Sequence, residues 1–397
     1  MRSLAVGDYT HEQVETVLRS TTFGRSWRFD ILTNDLAVVG ELPLVDEHDP
    51  LADTGVLDVT VEMNVDRAVR GACSLSMFAD ERLRDMIFQR KIRPWFQVTM
   101  PDGGVAEWPM GVYIWNQPAR TLDGGVGPEV WDITLGDQLH VLDVGGPGRE
   151  GFGLAAGTNI TQGIARVLGL NGFPDVSGIA SSPSTVSADL TWTLAVDTGE
   201  GTRTQLVSWL EILRRLHDGL GYNGPWFDLE GQFRAEPAED LVTATPGAVY
   251  GSDADGITLV PVAVDQELDR IANRVRVSAR NGEFVGVAWA DANTLAPGHP
   301  LAQRQIGFYI DNHYSDTVAS NLSDLQARAN RECRDGLASF QRLAFDSLAW
   351  PAHEAFDILG VLVDGDVEFG SVQRGHERRW SFGRDGQMSH EIRRVLS

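Results

Sequence analysis

Val56-Leu57-Asp58-Val59-Thr60-Val61-Glu62-Met63-Asn64 sets Leu57, Val59, Val61 and Met63 against Asp58, Thr60, Glu62 and Asn64 in strict alternation. Side chains on a strand alternate between faces with period 2, so the stretch predicts a half-buried β-strand. Working outward, Ala72 to Phe78 alternates again. Upstream, Trp27, Phe29 and Ile31 alternate with Arg28, Asp30 and Leu32, and Val38 to Leu44 continues extended. Downstream, Ile92 to Met100 reads as a strand, Pro101-Asp102-Gly103-Gly104 as a turn, and Glu107 to Trp115 as the returning strand. A second hairpin turns at Asp123-Gly124-Gly125 and returns through Val130 to Leu135. Two short helices are expected beside these strands. One covers Thr10 to Leu18, with Thr10 as N-cap and Glu12 and Glu15 near the positive end; the other covers Asp80 to Phe88.

The character changes after Gly145-Gly146-Pro147-Gly148. Asn159 to Leu168 predicts a helix capped by Thr158 or Asn159, residues 171–189 a loop, and Asp189 to Val196 a strand. Thr204 to Leu220 carries Leu206, Leu210, Leu213 and Leu216 on one face and ends at Gly219 and Gly221, so it predicts a helix. Two short strands follow around Glu230-Gly231. From about residue 240 strands return: Asn273 to Ala279 with Glu283 to Asp291, then Leu343 to Leu348, Asp357 to Val363, Val372 to Phe382 and Met388 to Leu396. A helix over Asn321 to Leu337, with Leu322, Leu325 and Ala329 on one face, interrupts them. The two β-rich parts share a plan of several strands, one helix and a closing hairpin at a DG, Asp123-Gly124 in one and Asp385-Gly386 in the other. The expected division is an N-terminal helical arm (1–25), a first β domain (26–145), a small mixed α/β domain (146–240) and a second β domain (241–397).

Composition excludes several classes. A chain of 397 residues exceeds one ordinary core. Its apolar runs fall short of the roughly 20 residues a membrane helix needs, and Met1 to Asp8 meets charge too early for a signal peptide. A soluble protein that stays where it is made is expected. Cys73 and Cys333 stand far apart with no CxxC, so two buried inert thiols are expected rather than a zinc site or disulfide framework. The formal charge is −23, and Lys91 is the sole lysine among 33 basic residues. No basic stripe for nucleic acid is evident. The arginine skew fits a GC-rich genome.

The tempting motifs are weak. Gly151 to Gly157 is spaced GxGxxxG with no βαβ unit around it and reads as linker. His353-Glu354 and His390-Glu391 lack the second histidine of a zincin. Asp364-Gly365-Asp366 lacks the remaining ligands of a calcium loop, and Asp311-Asn312-His313 reads as a polar loop. Among the 11 tryptophans, Trp95, Trp108, Trp115, Trp131 and Trp226 sit at strand positions, where core or subunit interface outweighs a sugar platform. No residue stands out as catalytic, cofactor-binding or metal-ligating.

Four stretches resemble the tail-tip, or baseplate, hub family of long-tailed phages. The first is Arg25-Ser26-Trp27-Arg28-Phe29-Asp30-Ile31-Leu32 with Val56 to Phe78 behind it; the second is Trp209-Leu210-Glu211-Ile212-Leu213 leading to Asp228-Leu229-Glu230-Gly231. The third is Ile271-Ala272-Asn273-Arg274-Val275-Arg276-Val277 with the Asn321 to Leu337 helix; the last is Trp350-Pro351-Ala352-His353-Glu354-Ala355-Phe356-Asp357-Ile358-Leu359. The resemblance implies a multidomain β-rich α+β chain, with two tail-tube-like β-barrel or sandwich domains flanking a small mixed α/β domain. It implies a structural minor tail protein of an actinobacterial-type phage and not an enzyme. The protein would assemble in the host cytoplasm and reside at the virion's tail tip. Implied partners are two further copies in a homotrimer, a distal tail protein, the C-terminus of a tape-measure protein and the tail fibre or receptor-binding proteins. DNA would pass only in transit through an acidic channel. Rival readings are a hexameric distal tail protein, a carbohydrate-binding or glycan-active protein, and a cytoplasmic assembly factor.

Overall fold

The structure is a computed structural model that describes residues 2–20, 23–45, 55–78, 90–121, 129–148, 151–186, 189–192, 207–239, 244–251, 258–266, 271–281, 284–316, 319, 321–338, 341–363 and 371–394. The expected helix at Asp80 to Phe88, the turn at Asp123 to Gly125 and the Asp364 to Asp366 segment lie outside the described residues.

Strands dominate: β1 (Arg25–Leu32), β2 (Val38–Pro43), β3 (Val56–Asn64), β4 (Gly71–Phe78), β5 (Lys91–Thr99), β6 (Val105–Pro109), β7 (Tyr113–Thr121) and β8 (Val130–Asp137) come first. Then follow β9 (Phe152–Leu154), β10 (Leu190–Trp192), β11 (Trp226–Phe227), β12 (Phe233–Arg234), β13 (Ala248–Gly251), β14 (Thr258–Gln266), β15 (Arg274–Asn281) and β16 (Phe284–Asp291). The last are β17 (Asp311–Asp316), β18 (Gln341–Leu348), β19 (Ile358–Leu362), β20 (Gln373–Gly383) and β21 (Gln387–Arg394). The chain is therefore β-rich. Most of these strands join one sheet in the order β14-β18-β21-β20-β3-β4-β8-β7-β5-β1-β2, with β19 beside β20, β13 beside β19 and β6 beside β5.

Two runs of this sheet share one topology. In chain order, β3, β4, β5, β7 and β8 adopt the spatial order β3-β4-β8-β7-β5, all antiparallel. Likewise β14, β18, β19, β20 and β21 adopt β14-β18-β21-β20-β19, again antiparallel. Both closing hairpins carry a β-bulge at the matching place, between Trp115 and Gln117 on β7 and between Glu377 and Arg379 on β20. A bulge inserts one residue and fixes local register, so its recurrence marks corresponding positions. We call the runs lobe 1 and lobe 2. They join where β20 pairs with β3, from Arg379↔Asn64 to Gly383↔Thr60.

Burial follows the predicted alternation. Val59, Val61 and Met63 are buried, but a bulge between Val56 and Asp58 turns Val56 inward and leaves Leu57 half-buried. The expected strand at Glu107 to Trp115 is two strands, β6 and β7, broken at Gly111, whose φ of 105 few side chains adopt. Asp311-Asn312-His313, expected as loop, opens β17, which pairs parallel with β15; the backbone ladder accepts polar residues because their side chains face solvent. Leu322 is exposed rather than packed with Leu325 and Ala329, since it starts the helix Leu322–Ala338.

Three hydrophobic cores result. The largest holds both lobes and the arm helix His11–Leu18, whose Val14, Val17 and Leu18 are buried and whose Thr10 forms a capping box with Gln13. The second lies between the helices Ile160–Leu170, capped by Asn159, and Trp209–Leu220, capped by Ser208 and closed by Gly221 at φ 69. Phe152 and Leu154 of β9, inside the Gly151 to Gly157 stretch, belong to this core. The third packs β15 and β16 under the helix Leu322–Ala338. Cys73 and Cys333 are buried and free, and burial pushes both thiols up.

His217 is fully enclosed in the second core, and its Nδ1 lies 2.6 Å from the Asn223 carbonyl. Burial pushes its pKa down to about 4. Because the folded value lies below the ordinary 6.5, its contribution to stability is present above pH 6.5 and lost as pH falls through 4. His217→Gln is expected to flatten the loss of stability between pH 6.5 and 4 by up to about 1.4 kcal/mol per pH unit. Denaturant titrations of both proteins across that range check this; parallel pH profiles would refute it.

Candidate functional site

The most concentrated polar chemistry lies inside lobe 2, at residues that sequence reasoning set aside. β20 delivers Glu377, β21 delivers His390, and the segment before β19 delivers His353. Each Glu377 carboxylate oxygen takes one histidine: Oε2 lies 2.7 Å from His353 Nδ1 and Oε1 2.7 Å from His390 Nδ1. The outer nitrogens meet hydroxyls, His353 Nε2 that of Tyr250 and His390 Nε2 that of Ser347 at 2.8 Å. In the neutral tautomers that serve the carboxylate, both Nδ1–H groups donate to it and both Nε2 atoms face hydroxyls, with the single Ser347 hydrogen shared between His390 Nε2 and the Leu348 carbonyl at 2.9 Å. Phe345 stacks on His390 at 4.8 Å and closes the apolar wall.

The candidate ligand atoms of His353, Glu377 and His390 lie within 4.8 Å of one another. They are the right types for zinc, yet their lone pairs are committed at direct hydrogen-bond distances, and a zinc would need both Nδ1–H groups deprotonated and turned from the carboxylate. The geometry is that of a closed hydrogen-bond network. Burial pushes Glu377 up to about 7, against the pull of His390, and pushes His353 down to about 4. By the matched registers, His390 and Glu377 stand where lobe 1 has Ile133 and Trp115. Lobe 2 therefore has a polar centre where lobe 1 has apolar packing. The sequence signal was the pair of His-Glu dipeptides, but the histidine partner is Glu377, contributed by another strand.

A cavity of about 590 Å³ opens where the three cores meet. Its walls are ionic. Arg331 reaches Asp218 at 3.4 Å across the second and third cores, and Arg328 reaches the same carboxylate at 3.2 Å. Arg378 of lobe 2 pairs with Asp66 of lobe 1. Arg70 lies over Phe356 at 4.7 Å, and burial beside Arg214 and Arg378 pushes it down to about 9. Phe356 itself has φ 68, a strained left-handed conformation for a bulky residue. Arg2 adds a second tie, bonding Asp228 at 2.8 Å and Glu230 at 3.0 Å while its ion pair with Glu354 reaches lobe 2. These contacts are joints between units.

The tryptophans form no platform. Trp108, Trp115, Trp131 and Trp226 are buried, Trp95 donates to Asp30 at 2.7 Å, and Trp289 is half exposed on β16 beneath Arg274 and Arg276. Sheet edges are exposed as well: Val38 and Val39 on β2, and Ala263 to Gln266 on β14.

No family model and no curated protein sequence matches the chain. Solved structures do, and the fold is that of phage and prophage tail proteins. The tail protein from Neisseria meningitidis MC58 aligns at TM-score 0.58 and 10% identity, covering 92% of this chain and 96% of that one. The 43 kDa tail protein of prophage MuSo2 from Shewanella oneidensis aligns at 0.57 and 11% identity, covering 93% and 98%. A prophage tail protein from Listeria monocytogenes EGD-e aligns at 0.51 and 9% identity, covering 94% and 96%.

Truncating Glu377 leaves two buried imidazole N–H groups without an acceptor. Glu377→Ala is expected to cost about 2–5 kcal/mol and to lower the melting temperature of this 397-residue chain by roughly 2–6 °C. Differential scanning calorimetry checks this, and a melt within about 0.5 °C of the parent (~0.4 kcal/mol) would show that the network holds nothing together.

Proposed function

We propose that this chain is a structural subunit of a phage tail tip, the hub that closes the tail tube and joins it to the receptor-binding apparatus. The observation that carries the reading is the repeated five-strand run. Two copies of one topology in a single chain are what a threefold tip needs to meet a sixfold tube, because three chains then supply six equivalent positions. In this reading lobes 1 and 2 are the tail-tube-like units, and the parts built on the second and third cores decorate them. The arm at residues 1–25 clips them together.

The channel would serve DNA in transit. A formal charge of −23 with one lysine gives phosphates no array of cations to bind, so DNA would slide rather than stick. The neighbours would be a distal tail protein above, the end of a tape-measure protein inside and fibre or receptor-binding proteins outside. The arginine-for-lysine skew fits an actinobacterial-type phage. The closed Glu377 network and the burial of the tryptophans favour a structural role over a glycan-active one. A hexameric distal tail protein is the second reading, and the second lobe disfavours it.

Light scattering on the purified full chain across a concentration series tests the hub. A mass of about three chains is expected, since heterologous interfaces close into rings when their rotation allows. A six-chain mass would transfer the assignment to the distal ring, and a monomer at every concentration would overturn both.

A further inference from the structure

The seam inside the chain is a template for a seam between chains. On the side away from β21, β20 is shared: Gln373 to His376 pair with β19, and Arg379 to Gly383 pair with β3 of lobe 1. Its counterpart β7 pairs with β5 only at Tyr113 and Ile114; beyond them that side has no partner among the described residues. The counterpart of β3 is β14, which pairs among the described residues with β18 alone. Among the described residues, each chain thus carries one satisfied junction and the two open halves of another.

The matching bulges set the register. Aligning Glu377 and Arg379 with Trp115 and Gln117 places Ser381 on Ala119 and Phe382 on Arg120. On the other strand, Leu343 faces Ile392 as Cys73 faces Leu135, so Val264, opposite Leu343, corresponds to Val61, opposite Cys73. Asp265 then corresponds to Glu62. The internal pairs Ser381↔Glu62 and Phe382↔Val61 project onto Ala119↔Asp265 and Arg120↔Val264.

We infer that β7 of one copy of this chain pairs antiparallel with β14 of a second copy, Ala119 opposite Asp265 and Arg120 opposite Val264. The inference rests on the trimeric reading above and gives it its contact. Two further observations support it. Val264 is 42% exposed in the single chain, whereas its counterpart Val61 is fully buried at the internal seam. Gln117 and Asp265 also stand where Arg379 and Glu62 form an ion pair at 3.1 Å, so the projected seam keeps a polar pair at that position. An edge strand with free N–H and C=O groups is a template for another strand, and here the chain contains a copy of what would fill it.

The test is directed disulfide formation between full-length chains. Single-cysteine additions A119C and D265C are mixed and oxidised; native Cys73 and Cys333 are fully buried and stay out of the exchange. A covalent heterodimer is expected from the mixture, and none from A119C mixed with V39C on the competing β2 edge. In parallel, V264K places a charge where Val61 is enclosed and is expected to raise the concentration for half-assembly by at least about tenfold, roughly 1.4 kcal/mol. A three-chain mass without the A119C–D265C bond, or with A119C–V39C instead, overturns this seam and leaves the hub standing. A monomer at all concentrations with no bond overturns both.

Discussion

Five backbone pairs between β20 and β3 hold the architecture together. Without them the two lobes would be separate sheets, each exposing an unpaired edge. With them the edge of one lobe becomes the interior of a single sheet, and the side chains on either side share one core. Phe382 of lobe 2 shows the consequence: it lies 4.7 Å from Phe96 in lobe 1 and 5.2 Å from Trp27 on β1, which pairs with lobe 1 through β5. Aromatic contacts of this geometry add to the burial of their surfaces. The seam is thus packed as well as paired, which makes the relative placement of the lobes a property of the fold rather than of a linker.

The lobes share a skeleton but not a filling. Lobe 1 places Trp115 and Ile133 at positions where lobe 2 places Glu377 and His390. A buried carboxylate with two imidazoles costs desolvation, and hydrophobic packing would ordinarily serve stability as well. What the network adds is geometric specificity: the carboxylate joins two strands and the segment before β19, and two hydroxyls complete the outer bonds. An apolar centre tolerates repacking more readily than a set of directed bonds does.

The sequence made the strands legible because alternation is a local property. Val56 to Asn64 could be read from its own residues, and so could the N-cap at Thr10 and the stop at Gly221. Bulges and breaks were not legible. Leu57 lost its inward position to a shift of one residue, and Gly111 split a run whose apolar pattern continued across it. The Glu377 network was invisible for a different reason: its members come from separate strands, and only the ladder registers bring them together. The duplicated plan was suggested by two DG dipeptides, of which Asp123-Gly124 lies outside the described residues; the residues that fill the lobes differ, so the likeness rests on strand order and on the placement of the bulges.

The internal seam and its projected counterpart differ in one instructive way. At the internal seam Phe382 is buried against lobe 1, which a covalently joined lobe reaches as the chain folds. At the corresponding place β7 carries Arg120. A phenylalanine there would leave an apolar edge on every free chain, the kind of surface that recruits other strands indiscriminately. An arginine at this register position offers no apolar template to other strands, while Val264 opposite retains apolar surface to bury. The same topology therefore yields a permanent junction where the chain is continuous and a conditional one where it is not, and the difference lies in which residue occupies one position of one strand.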